Sequence, residues 1–367
     1  MGLYIHIPFC HSRCPYCDFA FVVGKNHLAK RYTDAVIVEM QNRMQSLETP
    51  PMFNTLYFGG GTPSAIPPGQ LNRILTSAEN AIAPDAEITA EANPNDHRYF
   101  DKLYEHGINR LSLGVQAFTD RALKALGRFH TVSDATAAFH AARNAGFKNI
   151  SIDLMYGAPG QTPGEWARSL ERAIDLYPEH ISVYGLTIEP RTNFARRFQK
   201  GRLKVPPETD QAEMYMSAID QLEAAGYAHY EISNFARPGF ASRHNLNYWH
   251  DRPYLGVGLS AHSYLDNRRS WNVRDLATYM QRIEATGFAV ERVEQLTPTQ
   301  HLLERIMLGL RQRRGLRVDF LSHPKIHKQY IAMANQHLLE RTDNRVRLTR
   351  RGLLLADLVC SELVREL

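Results

Sequence analysis

Short runs of β-branched and aliphatic residues recur through the first half of the chain. Each is followed by a stretch in which apolar positions fall three and four apart. The pattern predicts strands near residues 3–8, 55–59, 87–91, 110–115, 149–155 and 180–186. Helical periodicity is predicted near 27–47, 69–82, 98–106, 119–126, 133–145, 163–176 and 208–225. Strand and helix in alternation imply a parallel sheet, because parallel neighbours need a long crossover between them. Six such units are present, and the residues after 225 do not clearly supply the two more that a closed eight-stranded barrel needs. The expected fold is α/β: an open, partial (β/α)6 barrel.

From about residue 293 the pattern changes. Residues 298–310 predict an amphipathic helix, followed by the basic turn Arg311-Gln312-Arg313-Arg314-Gly315. Residues 318–321 and 326–339 read as helical, 345–349 as a hairpin arm and 353–365 as a last helix. The expected organisation is a barrel over 1–228, a linker or extension over 229–292, and a smaller helical, winged-helix-like domain over 293–367. Such a domain raises a nucleic-acid reading, but no helix rich in Asn, Gln and Arg stands out, so no nucleic-acid partner is expected.

With 44% hydrophobic and 22% charged residues, the 367-residue chain has ordinary globular composition, which excludes a disordered or collagen-like class. A net charge of +5 permits an acidic partner without demanding one. No apolar run approaches the ~18 residues of a membrane span, and the first residues show no signal-peptide pattern, so a cytoplasmic location is expected.

Three of the four cysteines, Cys10, Cys14 and Cys17, fall within eight residues. A disulfide framework would spread them, and structural zinc usually takes two C-x-x-C pairs. Covalent haem attachment needs C-x-x-C-H, whereas Asp18 follows Cys17. Three thiolates from one loop can hold three irons of a four-iron cube and leave the fourth open. Structural zinc with a fourth ligand such as His6 or His11 is the competing reading.

Cys10-x-x-x-Cys14-Pro15-Tyr16-Cys17 resembles the signature of the radical S-adenosylmethionine (SAM) superfamily. The resemblance implies a [4Fe–4S] cluster whose open iron is chelated by SAM, and reductive cleavage of SAM to a 5′-deoxyadenosyl radical. It also implies the partial barrel already expected. The cysteine loop follows the first predicted strand, and polar or glycine-rich residues close the second to fifth: Gly59-Gly60-Gly61-Thr62, Glu91-Ala92-Asn93, Gly114-Val115-Gln116, and Asp153 before Tyr156-Gly157. Ligands of such sheets gather at those ends. By resemblance, Gly60, Gly61 and Thr62 lie against the methionine end of SAM. Glu91 and Asp153 suit ribose hydroxyls, and Arg128 suits the SAM carboxylate. Gln116 could bridge either ligand, Tyr4 and Tyr16 could pack on adenosine or cluster, and Thr187 is a weaker correspondence. Gly256-x-Gly258-x-x-Ala261 fits a dinucleotide-binding pattern only formally.

Over nearly the whole length the chain resembles the coproporphyrinogen-dehydrogenase-like branch of that family. Two functions occur there: an oxygen-independent radical decarboxylase of coproporphyrinogen III, and a HemW-type haem chaperone. The decarboxylase carries another cysteine two places after the third, where this chain has Phe19, and a long segment before its motif. His244-Asn245-Leu246-Asn247-Tyr248-Trp249 matches the H-N-x-x-Y-W motif of the chaperone type. The resemblance therefore implies a haem carrier more than a decarboxylase. Its partners would be haem, client apo-haemoproteins of the respiratory chain, an electron donor such as flavodoxin or NADH, and peripheral membrane contact through clients. For His244 two readings stand: an axial haem ligand, or a hydrogen-bonded loop histidine with Trp249 as a core anchor. His262 and nearby tyrosines compete as ligands. Arg237, Arg243, Arg252, Arg268 and Arg269 could meet propionates or form a solvated face. Cys360 is expected to be a buried thiol.

Overall fold

The computed structural model describes residues 1–367. Six strands take the predicted places: β1 (Gly2–Ile7), β2 (Phe53–Gly60), β3 (Ile82–Ala92), β4 (Arg110–Gln116), β5 (Ile150–Tyr156) and β6 (His180–Gly185). They pair in that order and all in parallel. The crossovers include α1 (Ala29–Gln45), α2 (Pro68–Ser77), α3 (Phe100–Glu105), α4 (Asp120–Ala125), α5 (Val132–Asn144) and α6 (Pro163–Asp175). Leu3, Ile5 and Ile7 are fully buried, while Tyr4 and His6 alternate with them towards the opposite face. A polar barrel interior follows. Register sets Tyr4 beside Tyr57, Tyr57 beside Thr89, and Glu91 beside Ser112.

Helix starts match the sequence where local chemistry is strongest. Thr162 and Glu165 form a reciprocal capping box around Pro163 at the start of α6. The same device opens a later helix, Pro298–Leu310, with Thr297 and Gln300. Other boundaries move. The predicted helix 69–82 ends at Ser77, and Ile82 already begins β3. The predicted helix 326–339 runs over Pro324–Asn335, because Leu339 pairs with Leu348. The last helix breaks at Leu355 into Arg350–Leu354 and Ala356–Leu363.

The stretch expected as a linker or extension enlarges the sheet at both edges. After α7 (Asn193–Gln199) and α8 (Glu208–Ala224), β7 (Ala228–Glu231) and β8 (Asn234–Ala236) add antiparallel strands beyond β6. Next come α9 (Arg243–Trp249) and β9 (Tyr254–Val257); β9 joins the other edge, parallel to β1. β10 (His262–Leu265), β11 (Arg268–Asn272) and β12 (Val290–Gln295) continue outward as antiparallel strands. The Gly256–Ala261 pattern is thus a strand and turn leading into another strand, with no helix after it to receive a dinucleotide. The remaining helices pack with a three-stranded sheet of Leu316–Arg317, Arg345–Leu348 and Leu339–Thr342. One hydrophobic core is continuous from Leu3 to Leu363 and includes Cys360. No helix is long and apolar enough to cross a membrane.

Glu39 on α1 holds the β9–β10 turn in place. Its carboxylate is fully buried and accepts from the Gly258 amide at 2.8 Å, the Asn272 amide at 2.6 Å and the Tyr279 hydroxyl at 2.7 Å. Burial raises its pKa, and those three bonds oppose the rise. Glu39→Ala strands three buried donors. It is expected to cost on the order of 3 kcal/mol or more, measured by urea unfolding.

Candidate functional site

The cysteine loop leaves β1 through Pro8 and returns at Val22, with Phe9–Cys10 pairing in parallel with Val22–Val23. Two backbone bonds stitch it to the glycine run after β2: Gly61 N–H to Ile7 O at 2.9 Å and Thr62 N–H to Phe9 O at 2.8 Å. A Cβ on Gly61 would lie 2.7–2.9 Å from backbone atoms of Ile7, Pro8 and Phe9, so only glycine permits this approach. The Thr62 hydroxyl donates to Cys10 Sγ at 3.6 Å. Arg128 donates to Cys14 Sγ at 3.4 Å, to Asn93 Oδ1 at 3.0 Å and to Gly114 O at 3.1 Å.

All three thiols are reduced and partly exposed. Burial pushes Cys10 up to about 11, with the other two thiols and Glu91 adding to the rise against the Thr62 bond. Burial raises Cys17 as well. Three thiols this close resist ionising together, and a cationic iron core reverses that balance. The donor set fits the cluster: three sulfurs from one loop, hydrogen-bond donors to two of them, and the fourth cysteine remote and buried. No Cys, His, Asp or Glu side chains converge in threes as ligands of one metal ion do. Zinc sulfurs would stand roughly 4 Å apart.

A cavity of about 700 Å³ opens in front of the thiols. Tyr16, Gly60, Gly61, Thr62, Glu91, Gln116, Arg128 and Asp153 line it, as does Thr187. Tyr4, expected with them, lines a neighbouring cavity instead, stacked on Tyr57 and bonded to His6 Nδ1 at 3.1 Å. Glu91 accepts from the Tyr57 hydroxyl at 3.0 Å and the Gly60 amide at 3.1 Å. Burial pushes its pKa to about 7, with Asp153 adding repulsion. Asp153 accepts from Ser112 at 2.8 Å and Ser151 at 3.1 Å, and burial also raises it. Gln116 has φ +70°, a left-handed conformation rare for residues other than glycine, where the β4–β5 register shifts. Strain of this kind collects at functional sites.

Sequence reasoning missed Tyr57, Ser112 and Tyr184, which also line the cavity. Ser112 pairs with Glu91 and Tyr184 with Met155 across neighbouring strands, so period-two counting would find them once the register is known.

His244 is only 1% exposed, sits on a helix and not in a loop, and has both ring nitrogens engaged. Nδ1 meets Thr55 Oγ1 at 2.9 Å and Nε2 meets the Tyr248 hydroxyl at 2.8 Å. Its ring stacks on Tyr57, with centroids 5.0 Å apart. Trp249 lies under the Arg311 guanidinium, and its carbonyl accepts from Gln312 at 2.7 Å, so it anchors the C-terminal segment. Four of the five arginines expected to meet propionates are paired elsewhere: Arg237 over Tyr177, Arg243 with Asp85, Arg268 with Gln295, Arg269 with Glu304; Arg252 is exposed.

A parallel α/β barrel left open at one side, with a C-x3-C-x2-C loop facing a glycine run at the strand ends, defines a radical SAM protein. The model of the radical SAM superfamily matches residues 4–173, and that of the HemN C-terminal domain matches 296–355. The chain is 37% identical to the haem chaperone HemW of Bacillus subtilis over 99% of both chains. It is 34% identical to that of Escherichia coli over 94% of this chain and 93% of the relative. The solved coproporphyrinogen III oxidase (HemN) of E. coli, described as a radical SAM enzyme, superposes with TM-score 0.86. It is 26% identical, over 100% of this chain and 90% of that one. The chain belongs to the HemW family within the radical SAM superfamily. Membership implies a [4Fe–4S] cluster and SAM.

Two measurements check this geometry. Gln116→Gly removes the left-handed strain and is expected to stabilise the fold by about 1 kcal/mol in thermal unfolding. Burial holds His244 near pKa 3, below the 6.5 of an unconstrained histidine. Between those values the unfolded chain binds a proton that the folded chain refuses, so the residue's contribution is present above pH 6.5 and lost towards pH 3. The stability gap between wild type and His244→Gln is expected to narrow from pH 7 to pH 5 in urea titrations.

Proposed function

We propose that this chain is a haem chaperone that carries a SAM-capped [4Fe–4S] cluster on Cys10, Cys14 and Cys17. It binds haem next to that centre and passes it to apo-haemoproteins of the respiratory chain. The observation that carries the reading is end-to-end similarity to haem chaperones in distant bacteria. Geometry supports it at Phe19. Where the decarboxylase branch has a further cysteine, this chain presents a phenylalanine that is 70% exposed on the cavity wall.

When bound, the cluster and SAM supply one-electron reducing chemistry. The protein's part is to hold and orient. Thr62 and Arg128 direct hydrogens at two cysteine sulfurs, and Arg128 keeps a cation beside the place of the SAM carboxylate. Glu91 and Asp153, fixed by Tyr57, Gly60 and two serines, present carboxylates to ribose hydroxyls. The Gly60–Gly61 backbone admits the methionine end without a Cβ in the way. Gln116 and Tyr16 close the wall. A reductant outside this chain supplies electrons, the protein works in the cytoplasm, and membrane contact comes through its clients.

The second reading, a coproporphyrinogen III decarboxylase, is favoured by the structural likeness to HemN. Anaerobically reconstituted protein separates the two. It is expected to bind haem with a defined Soret band, and to leave coproporphyrinogen III unchanged with SAM and dithionite. Decarboxylation would overturn the chaperone assignment. Cys14→Ala is expected to lose the cluster's iron and acid-labile sulfide.

A further inference from the structure

A second cavity, of about 540 Å³, adjoins the cluster cavity and shares Asp18, Phe19, Gly60 and Glu91 with it. Both volumes lie in the range of cofactor-sized pockets, roughly 300–1,000 Å³. A haem needs three things from its seat: a ligand with a free lone pair, flat apolar cover for the ring, and a cation for the propionates.

Two histidines line this cavity, His6 and His262. His6 has neither nitrogen free: Nδ1 meets the Tyr4 hydroxyl at 3.1 Å and Nε2 meets Ala20 O at 2.7 Å. His262 is exposed to the cavity and makes no ring hydrogen bond. Its ring is instead stacked on Trp271, with centroids 5.6 Å apart and planes 21° apart. That stacking fixes the ring while leaving both nitrogens open. Burial and the nearby Arg269 lower its pKa, a shift towards the neutral imidazole that gives a lone pair to iron.

The backbone under His262 is held firmly. A Cβ on Gly256 would collide with the His262 carbonyl, so glycine alone allows β9 and β10 to close here. Ser263 Oγ accepts from the Gly256 amide at 2.9 Å and donates to its carbonyl at 3.2 Å. Glu39 pins the turn from behind. The ring faces come from Phe19, Tyr248 and Tyr254. The cation is Arg274, which also lines the cavity; it donates to Asp18 O at 2.6 Å and stands 3.8 Å from the Asp18 carboxylate, with which a propionate would share it.

We propose that this second cavity is the haem seat and that His262 is the axial ligand, with Phe19 covering the ring on the cluster side. The assignment rests on the haem-chaperone reading and gives it a place. Bond formation is a coordinate bond from the neutral imidazole to iron, with no proton or electron exchanged. His244 then acts at one remove, holding the Tyr248 hydroxyl in the cavity wall.

The test is titration of ferric haem into the full chain, wild type and His262→Ala, followed by Soret absorption and electron paramagnetic resonance. Wild type is expected to show imidazole-ligated haem. His262→Ala is expected to lose that signature and bind about tenfold or more weakly, and free imidazole should restore the band. Restoration also shows that the variant is folded. A variant with wild-type spectrum and affinity overturns the ligand assignment and leaves the chaperone reading standing. A wild-type protein that binds no haem overturns both.

Discussion

The amides of Gly61 and Thr62 donate to the carbonyls of Ile7 and Phe9, and this short seam sets the position of everything the site contains. It joins the ends of the first two parallel strands where no side chain fits between the backbones. The cysteine loop is thereby held over the strand ends instead of folding back into solvent. Thr62 and Arg128 can then reach two sulfurs, and the thiols open onto one cavity with the carboxylates of β3 and β5. The position of the three thiols is a consequence of backbone geometry before any metal chemistry enters.

Beneath that seam lies an unusually polar interior. Glu87 accepts from the amides of Arg243 and His244, Thr55 joins His244 to Asn247, and Ser151 joins Asp153 to His180. Arg110 is only 2% exposed, and its Nε has no partner. Buried polar groups of this kind are tolerable only when nearly all are satisfied. The H-N-x-x-Y-W helix supplies much of the satisfaction from below. Its histidine therefore behaves as a structural member of the barrel floor, and its tyrosine as part of the cavity above.

Two cavities that share a wall suit a carrier. In the proposed arrangement one would hold the redox-active centre and the other a flat aromatic cargo; Phe19 lines both. An exposed phenylalanine in water gains little, whereas against a porphyrin face it loses apolar surface to a matching partner.

The sequence by itself determined whatever depends on neighbours along the chain. Alternating β/α units, helix starts at Pro163 and Pro298, the thiol triplet and the glycine run were all legible, because each is written within a few residues. Tertiary structure alone decided which strand lies beside which. β9 sits against β1 although some 250 residues separate them, which turned an expected linker into sheet and a formal dinucleotide pattern into a tight hairpin. Thr55 and His244, 189 positions apart, meet in a hydrogen bond that engages one ring nitrogen of the suspected ligand. His262 was one competitor among several until the fold showed its nitrogens free in a cavity. Hydrogen-bond partnership between distant residues is fixed by packing in three dimensions, and no local pattern encodes it.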